Sequence, residues 1–158
     1  MLFETREEVD VPRDYAFSHF ADFTRYEATA RQYGADIRRV NGFSDLAEGA
    51  SWRGSVVVRG KTRGVEATVT RLDAPAHAHM DTVVGGMAVG VDLFFDELAP
   101  EKTLVRVVAQ LKATTLAARL ILQTAKLARG RIQSKIDSRI VALANQYEDD
   151  YRRLKARN

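Results

Sequence analysis

Between Ala35 and Ala113 the chain is written in period two. Six runs, "ADIRRV", "GASWRGSVVV", "TRGVEATVTRL", "AHAHMDTVV", "MAVGVDLFFDEL" and "TLVRVVAQLKA", follow one another with short turn-forming stretches such as "RGKTRG", "DAPA", "GGM" and "APEK" at their junctions. Side chains alternate across a β-strand, so each run sorts its residues onto two faces. Loops this short connect antiparallel neighbours, and the six runs predict an antiparallel meander. "LFETREEV", residues 2–9, alternates in the same way and adds a strand, giving about seven in all.

One face of these strands is apolar. It carries Trp52, Val56 and Val58; Val65, Ala67 and Val69; Met80, Thr82 and Val84; Met87, Val89, Val91, Leu93 and Phe95; Val105, Val107, Ala109 and Leu111. Arg53, Ser55, Glu66, Thr68, Asp92, Arg106, Gln110 and Lys112 stand on the other, which predicts a sheet packed on one side and wet on the other. In "PAHAHMD", His77, His79 and Asp81 have ligand-type side chains at every second position, but they fall on the wet face, opposite Met80 and Thr82. No further ligand is marked, so the sequence predicts surface residues and no metal site.

The flanks are helical. After the first strand, "DVPRDYAFSHFADFTRYEATAR" has Pro12 suited to a first helical position, Tyr15, Phe20 and Phe23 at helical spacing, and Asp22 placed to cap a second short helix. Beyond Ala113, with Thr114 or Thr115 as cap, a stripe runs through Leu116, Leu120, Ala125, Ala128, Ile132, Ile136, Ile140, Leu143, Tyr147 and Tyr151. An unbroken helix from Thr115 to Lys155 spans about 60 Å, against about 40 Å for a compact domain of this length. A kink or break is therefore expected near Gly130.

The chain of 158 residues is one domain's worth, 1–158. It has no cysteine, which excludes disulfides, thiolate nucleophiles and cysteine-held metals. Neither a signal-peptide core nor a run of roughly 20 apolar residues is present, so a cytoplasmic protein is expected. Residues 1–118 hold 14 Lys+Arg and 17 Asp+Glu, whereas residues 119–158 hold 10 and 4. That basic tail lacks the aromatic interleaving of single-strand binders, so nucleic acid is not an expected partner. Its row Arg131, Lys135 and Arg139 instead offers a peripheral contact with an anionic membrane or a protein partner. Arginine outnumbers lysine 18 to 6, as in chains from GC-rich bacterial genomes.

A strand, two short helices, six antiparallel strands and a long last helix, with "VDVPRDYAFSHFADFTRY", "EGASWRGSVVVRG", "VTRLDAPAHAHM" and "LVRVVAQLKA" in that order, resembles the START-like or SRPBCC superfamily of birch-pollen-allergen-like proteins. Within it, the chain looks most like the bacterial polyketide cyclase/dehydrase-like branch. The resemblance implies an α+β helix-grip fold, a curved sheet wrapped around the C-terminal helix. It also implies a cavity for a hydrophobic or amphipathic small molecule such as a lipid, quinone or polyketide. The expected walls are Tyr15, Phe20, Trp52, Val56, Val65, Ala67, Val69, Met80, Thr82, Met87, Val89, Val91, Val107 and Ala109, with Leu116, Leu120, Gln123 and Leu127 from the last helix.

Three functions are compatible with this reading: a carrier or sensor without cofactor, a cyclase/dehydrase-type enzyme, and a membrane- or partner-associating chaperone for quinones or lipids. For the enzyme, Glu7 is the candidate acid–base residue, since it shares a strand face with Phe3 and Val9; a tyrosine is the alternative. The chain has no G-x-S-x-G elbow, no phosphate-binding glycine loop and no H-E-x-x-H pair, and "GGMAVG" is a turn entering a strand.

Overall fold

The computed structural model describes residues 1–40 and 46–158. In chain order the elements are β1 (Leu2–Val9), α1 (Arg13–Phe20), a 3-10 turn (Phe23–Arg25), α2 (Tyr26–Gln32), β2 (Asp36–Arg39), β3 (Ser51–Val58), β4 (Lys61–Asp73), β5 (His77–Val84), β6 (Met87–Ala99), β7 (Lys102–Ala113), α3 (Leu116–Leu127) and α4 (Arg129–Ala156). The strands form one sheet in the order β1-β7-β6-β5-β4-β3-β2, every pair antiparallel. This is the α+β helix-grip architecture that the order of elements and the resemblance imply.

Register follows from the turns. Arg59 and Gly60, both at positive φ, make a two-residue connection that sets Val58 against Lys61 and Val56 against Arg63. Gly85 and Gly86 do the same for β5 and β6, pairing Val84 with Met87. A bulge between Val69 and Arg71 shifts β4 by one residue, which keeps Leu72 on the inner side, paired with Ala78. At Gly54 the sheet bends so sharply that an added Cβ would lie 1.8 Å from the Asp36 carbonyl oxygen; only glycine admits β2 at that distance.

The helices cover one end of the inner face. From α1 and the segment after it, Ala16, Phe17, Phe20, Ala21 and Phe23 bury themselves against Phe95, Val105 and Leu93 of the sheet, and Ala144 and Tyr147 of α4 close over them. The aromatic rings meet edge to face, Phe20 to Tyr147 at 4.8 Å and Phe17 to Phe95 at 5.3 Å between centroids. Asp22 does not cap a helix through its side chain; it precedes the 3-10 turn and pairs with Arg25 at 3.4 Å. Pro12 is the N-cap residue and α1 starts one position later, at Arg13.

The C-terminal helix is two helices. Thr115 caps the first, accepting from the Ala118 amide at 3.1 Å. The break falls at Ala128 (φ −103°, ψ 18°), two residues before Gly130, which sits unremarkably inside the first turn of α4. Just past it α4 meets the sheet edge: the Arg129 guanidinium donates to the Leu2 carbonyl at 2.5 Å and covers the Phe3 ring, and Gln133 donates to the Glu4 carbonyl at 3.0 Å. Farther along, the Asp10 amide donates to Glu148 at 2.9 Å. Thus α4 runs parallel to β1 and satisfies its free edge, an otherwise open template for aggregation. The other edge, β2, is only four residues long.

Tyr147 joins α4 to α1 at the centre of this cover, so Tyr147→Ala is expected to cost about 3–5 kcal/mol of unfolding free energy. Tyr147→Phe, which keeps the ring and loses only the 3.3 Å contact with the Tyr26 hydroxyl, should cost about 1 kcal/mol in the same urea titration.

Candidate functional site

The inner face of the sheet is not uniformly covered. At the end under α1 and the second half of α4, the inward residues Val9, Trp52, Val69, Ala78, Leu93, Phe95, Val105 and Val107 are buried. At the opposite end, Val56, Val65, Thr82, Val84, Met87, Val89, Ala109 and Leu111 point the same way yet are only half-buried. Accessible surface on an inward-pointing side chain means space in front of it. Ala67, Met80 and Val91 mark the boundary, half-buried but packed on the core.

Of the expected walls, Val56, Val65, Thr82, Met87, Val89 and Ala109 therefore line the open end, and Ala67, Met80 and Val91 border it. Phe20, Trp52, Val69 and Val107 are consumed by the sealed end. Trp52 is tied down there: its indole NH donates to Glu27 of α2, and the Arg39 guanidinium lies over its ring at 4.9 Å. Tyr15 also belongs to the sealed end, stacked on His19 at 3.9 Å and edge-on to Tyr151 at 5.0 Å.

The last four expected walls are misplaced. Leu116, Leu120 and Leu127 are 74%, 57% and 92% exposed, and Gln123 is exposed with them. The inward face of α3 is instead Ala118, Ile121, Leu122 and Ala125. The reason lies in the stripe itself: its step from Leu120 to Ala125 is five residues and turns about 140° around the axis, so Ala118, Ile121 and Ala125 continue the side that α4 holds through Ile132, Ile136, Ile140, Leu143, Tyr147 and Tyr151, and the leucines fall opposite.

One polar group at the open end had escaped notice. Arg63 stands opposite Val56 on the inner face, half-buried, and its Nε is buried without a hydrogen-bond partner among the described residues. Its side chain lies against Gly85 at the neighbouring turn. A two-residue turn at Arg59–Gly60, read from the sequence, would have placed it there. Buried guanidinium nitrogens are seldom left unpaired, and the accessible remainder of this half-buried side chain suits an oxygen of a ligand.

Among groups able to move protons, Tyr26 is held far above the ordinary tyrosine range, by burial first and then by the neighbouring Tyr147 phenol. Burial and the Asp150 charge raise Tyr15, and the hydrogen bond to Glu101 raises Tyr151. All three stay protonated and cannot serve as bases near neutrality. Glu7 is half-buried on β1, paired with Val105 on the inner side.

The Arg131–Lys135–Arg139 row is exposed and lines a cleft of about 630 Å³ beside α4, with Tyr33, Ser134, Ser138 and Ala142. On the outer sheet face, His77 and His79 do more than sit in water. His77 Nε2 and His79 Nδ1 both reach Asp92 Oδ1, at 2.6 and 2.8 Å, and His79 Nε2 reaches Asp81 at 2.9 Å. The turn at Gly85–Gly86 dictates this by setting His79 against Asp92. Both His79 nitrogens are thereby occupied, and among the described residues no group of ligand side chains is placed to hold a metal ion.

No protein-family model and no curated protein sequence matches the chain. Solved structures do. The chain is similar to norcoclaurine synthase from Thalictrum flavum (TM-score 0.64, 7% identity, 96% of each chain covered). It is similar to the ZhuI aromatase/cyclase from Streptomyces sp. R1128 (TM-score 0.62, 14% identity, 94% of this chain and 93% of that one). A START superfamily protein from Mycobacterium smegmatis is also alike (TM-score 0.52, 13% identity, 87% and 97% covered). At these identities the likeness is one of fold. Among the described residues no helix is long and apolar enough to cross a membrane.

The histidine cluster yields a pH prediction. Desolvation draws the His79 pKa down, but hydrogen bonds and charge from Asp81 and Asp92 outweigh it and raise the pKa above 6.5. Folding thus favours protonated His79, and the stabilisation is fully present below pH 6.5 and lost as pH rises through the folded value. Accordingly, the stability difference between the parent and Asp92→Asn, measured by urea unfolding, should be largest below pH 6.5 and shrink by pH 8.5.

Proposed function

Because this chain carries the helix-grip fold of START-like proteins, we propose that it binds a hydrophobic or amphipathic small molecule on the open end of its concave face, as a carrier or sensor. Lipids, quinones and polyketide-like molecules have the chemistry the face accepts. The observation that carries this reading is the half-exposed inner row Val56, Val65, Met87 and Val89, whose apolar surface the protein's own helices leave uncovered. Covering such surface is worth roughly 25 cal/mol per Å², so a few hundred Å² supplies useful affinity before ordering costs are met.

Arg63 refines the chemistry. A half-buried cation on the inner face, opposite Val56, favours a ligand that is apolar along most of its length and carries an acidic or carbonyl oxygen at one end. The polar Thr82 hydroxyl stands farther along the same inner face, on β5.

Two fluorescent probes separate these contributions. The neutral N-phenyl-1-naphthylamine should bind the parent protein and bind Val89→Trp at least about tenfold more weakly, since the indole fills the space. The anionic anilinonaphthalene sulfonate should lose about tenfold in Arg63→Met while the neutral probe is unaffected, reflecting one charged hydrogen bond. Absence of neutral-probe binding to the parent, or equal binding by Val89→Trp, contradicts the reading; native mass spectrometry of the purified protein then shows whether a lipid or quinone already fills the face.

A further inference from the structure

Helix α3 is apolar on two opposite sides, which Arg119 and Lys126 separate along one flank and Thr124 along the other, with Gln123 at the edge of the outer one. Ala118, Ile121, Leu122 and Ala125 face the protein, but Leu116, Leu120 and Leu127 form a second row on the opposite side, at 74%, 57% and 92% exposure. At 100° per residue these three fall within about 40° of one another, along about 16 Å of axis. An amphipathic helix normally buries its apolar side and turns polar residues outward, whereas this one packs its inner side mainly against β7 and α4 and turns three leucines outward as well. An exposed leucine row of this length marks a surface that something covers.

The charge around it says what. From Thr114 to Ile136 the chain has five Lys or Arg and no Asp or Glu. Arg119 and Lys126 flank the leucine row on one side, both exposed, and Arg131 follows at the start of α4. The α3 N-terminus is pinned to the Gly86 turn through the Thr114 amide, at 2.8 Å. In an antiparallel meander the Arg59–Gly60 turn lies at that same end, and it adds Arg59, Lys61 and Arg63 in a stretch with no acidic residue between Glu48 and Glu66.

Two copies of so uniformly cationic a surface repel each other, which counts against a second copy of this chain as the cover. Nucleic acid would neutralise the charge and leave the leucines in water. A bilayer with anionic headgroups answers both features, taking leucines into the acyl boundary and cations among the phosphates. We propose that the exposed face of α3, with the basic turns beside it, docks this protein on an anionic lipid surface, the open end of the concave face toward the membrane. The docking is independent of the ligand reading, although it would place the open end where an apolar molecule can leave or enter lipid directly.

The test is co-sedimentation of the full chain with vesicles of equal parts phosphatidylglycerol and phosphatidylcholine, and with phosphatidylcholine alone. At about 0.1 M salt, where the screening length is about 10 Å, the parent should partition to the anionic vesicles and not to the neutral ones. Leu116→Gln/Leu120→Gln/Leu127→Gln should weaken partitioning by about tenfold or more with unchanged thermal unfolding, because all three side chains are exposed; Leu120→Gln alone serves if the triple variant folds poorly. Arg119→Gln/Lys126→Gln should weaken it as well and reduce its salt dependence. Neutral-probe binding by the leucine variants reports the concave face separately, and it should be retained. The proposal is overturned if the parent ignores anionic vesicles, or if the leucine variants bind them like the parent. A parent dimer that the leucine substitutions dissolve, without vesicle binding, would assign the row to a second copy and overturn it too.

Discussion

An antiparallel sheet of seven strands with alternating side chains makes one continuous apolar face, and that face is larger than the helices available to cover it. Everything else follows from how the cover is shared out. The two short helices after β1 and the second half of α4 concentrate on one end, where aromatic rings interlock and burial is nearly complete. The other end receives α3, which touches the last strand and its sister helix, and the first turns of α4 along β1. Uncovered apolar surface in water is unfavourable, and a protein keeps it where something else completes the contact.

The placing of α4 sets this division. Edge-strand carbonyls of Leu2 and Glu4 bind Arg129 and Gln133 and fix the direction of α4 along β1, and at about 100° per residue the helix turn carries Leu116 and Leu120 to the side opposite the Ile132–Ile136 stripe, away from the sheet. One set of contacts thereby protects an exposed strand edge and anchors the helix that seals the core, while α3 packs on the last strand with apolar residues on two sides. The sealed end gives the rigidity, and the open end offers the apolar surface proposed for the ligand.

Much of this was legible in the sequence because it is local. Period-two alternation located all seven strands to within about two residues, and the turn residues gave their antiparallel order. The inner and outer faces were sorted correctly for the same reason, including the outward placement of His77 and His79. What the sequence hid was non-local. Asp92 and Arg63 acquire their roles from the residues opposite them, His79 and Val56, which register and not composition decides. The facing of α3, by contrast, was open to reading: at about 100° per residue the Ile132–Ile136–Leu143 stripe extends back to Ala125, Ile121 and Ala118, and a stripe through Leu116 and Leu120 departs from it by the five-residue step to Ala125.

The proposed ligand binding by this fold depends on the inequality between the two ends of one face. The chain has no cysteine, so single thiols placed at Val89 and at Val105 can be compared without background, using the modification rate by N-phenylmaleimide under native conditions. Val89→Cys should react at a rate approaching that of an exposed thiol and be shielded by a bound apolar molecule, while Val105→Cys should react only as fast as the protein unfolds. Equal protection of the two thiols would mean that the helices close the whole face, and the account would be wrong.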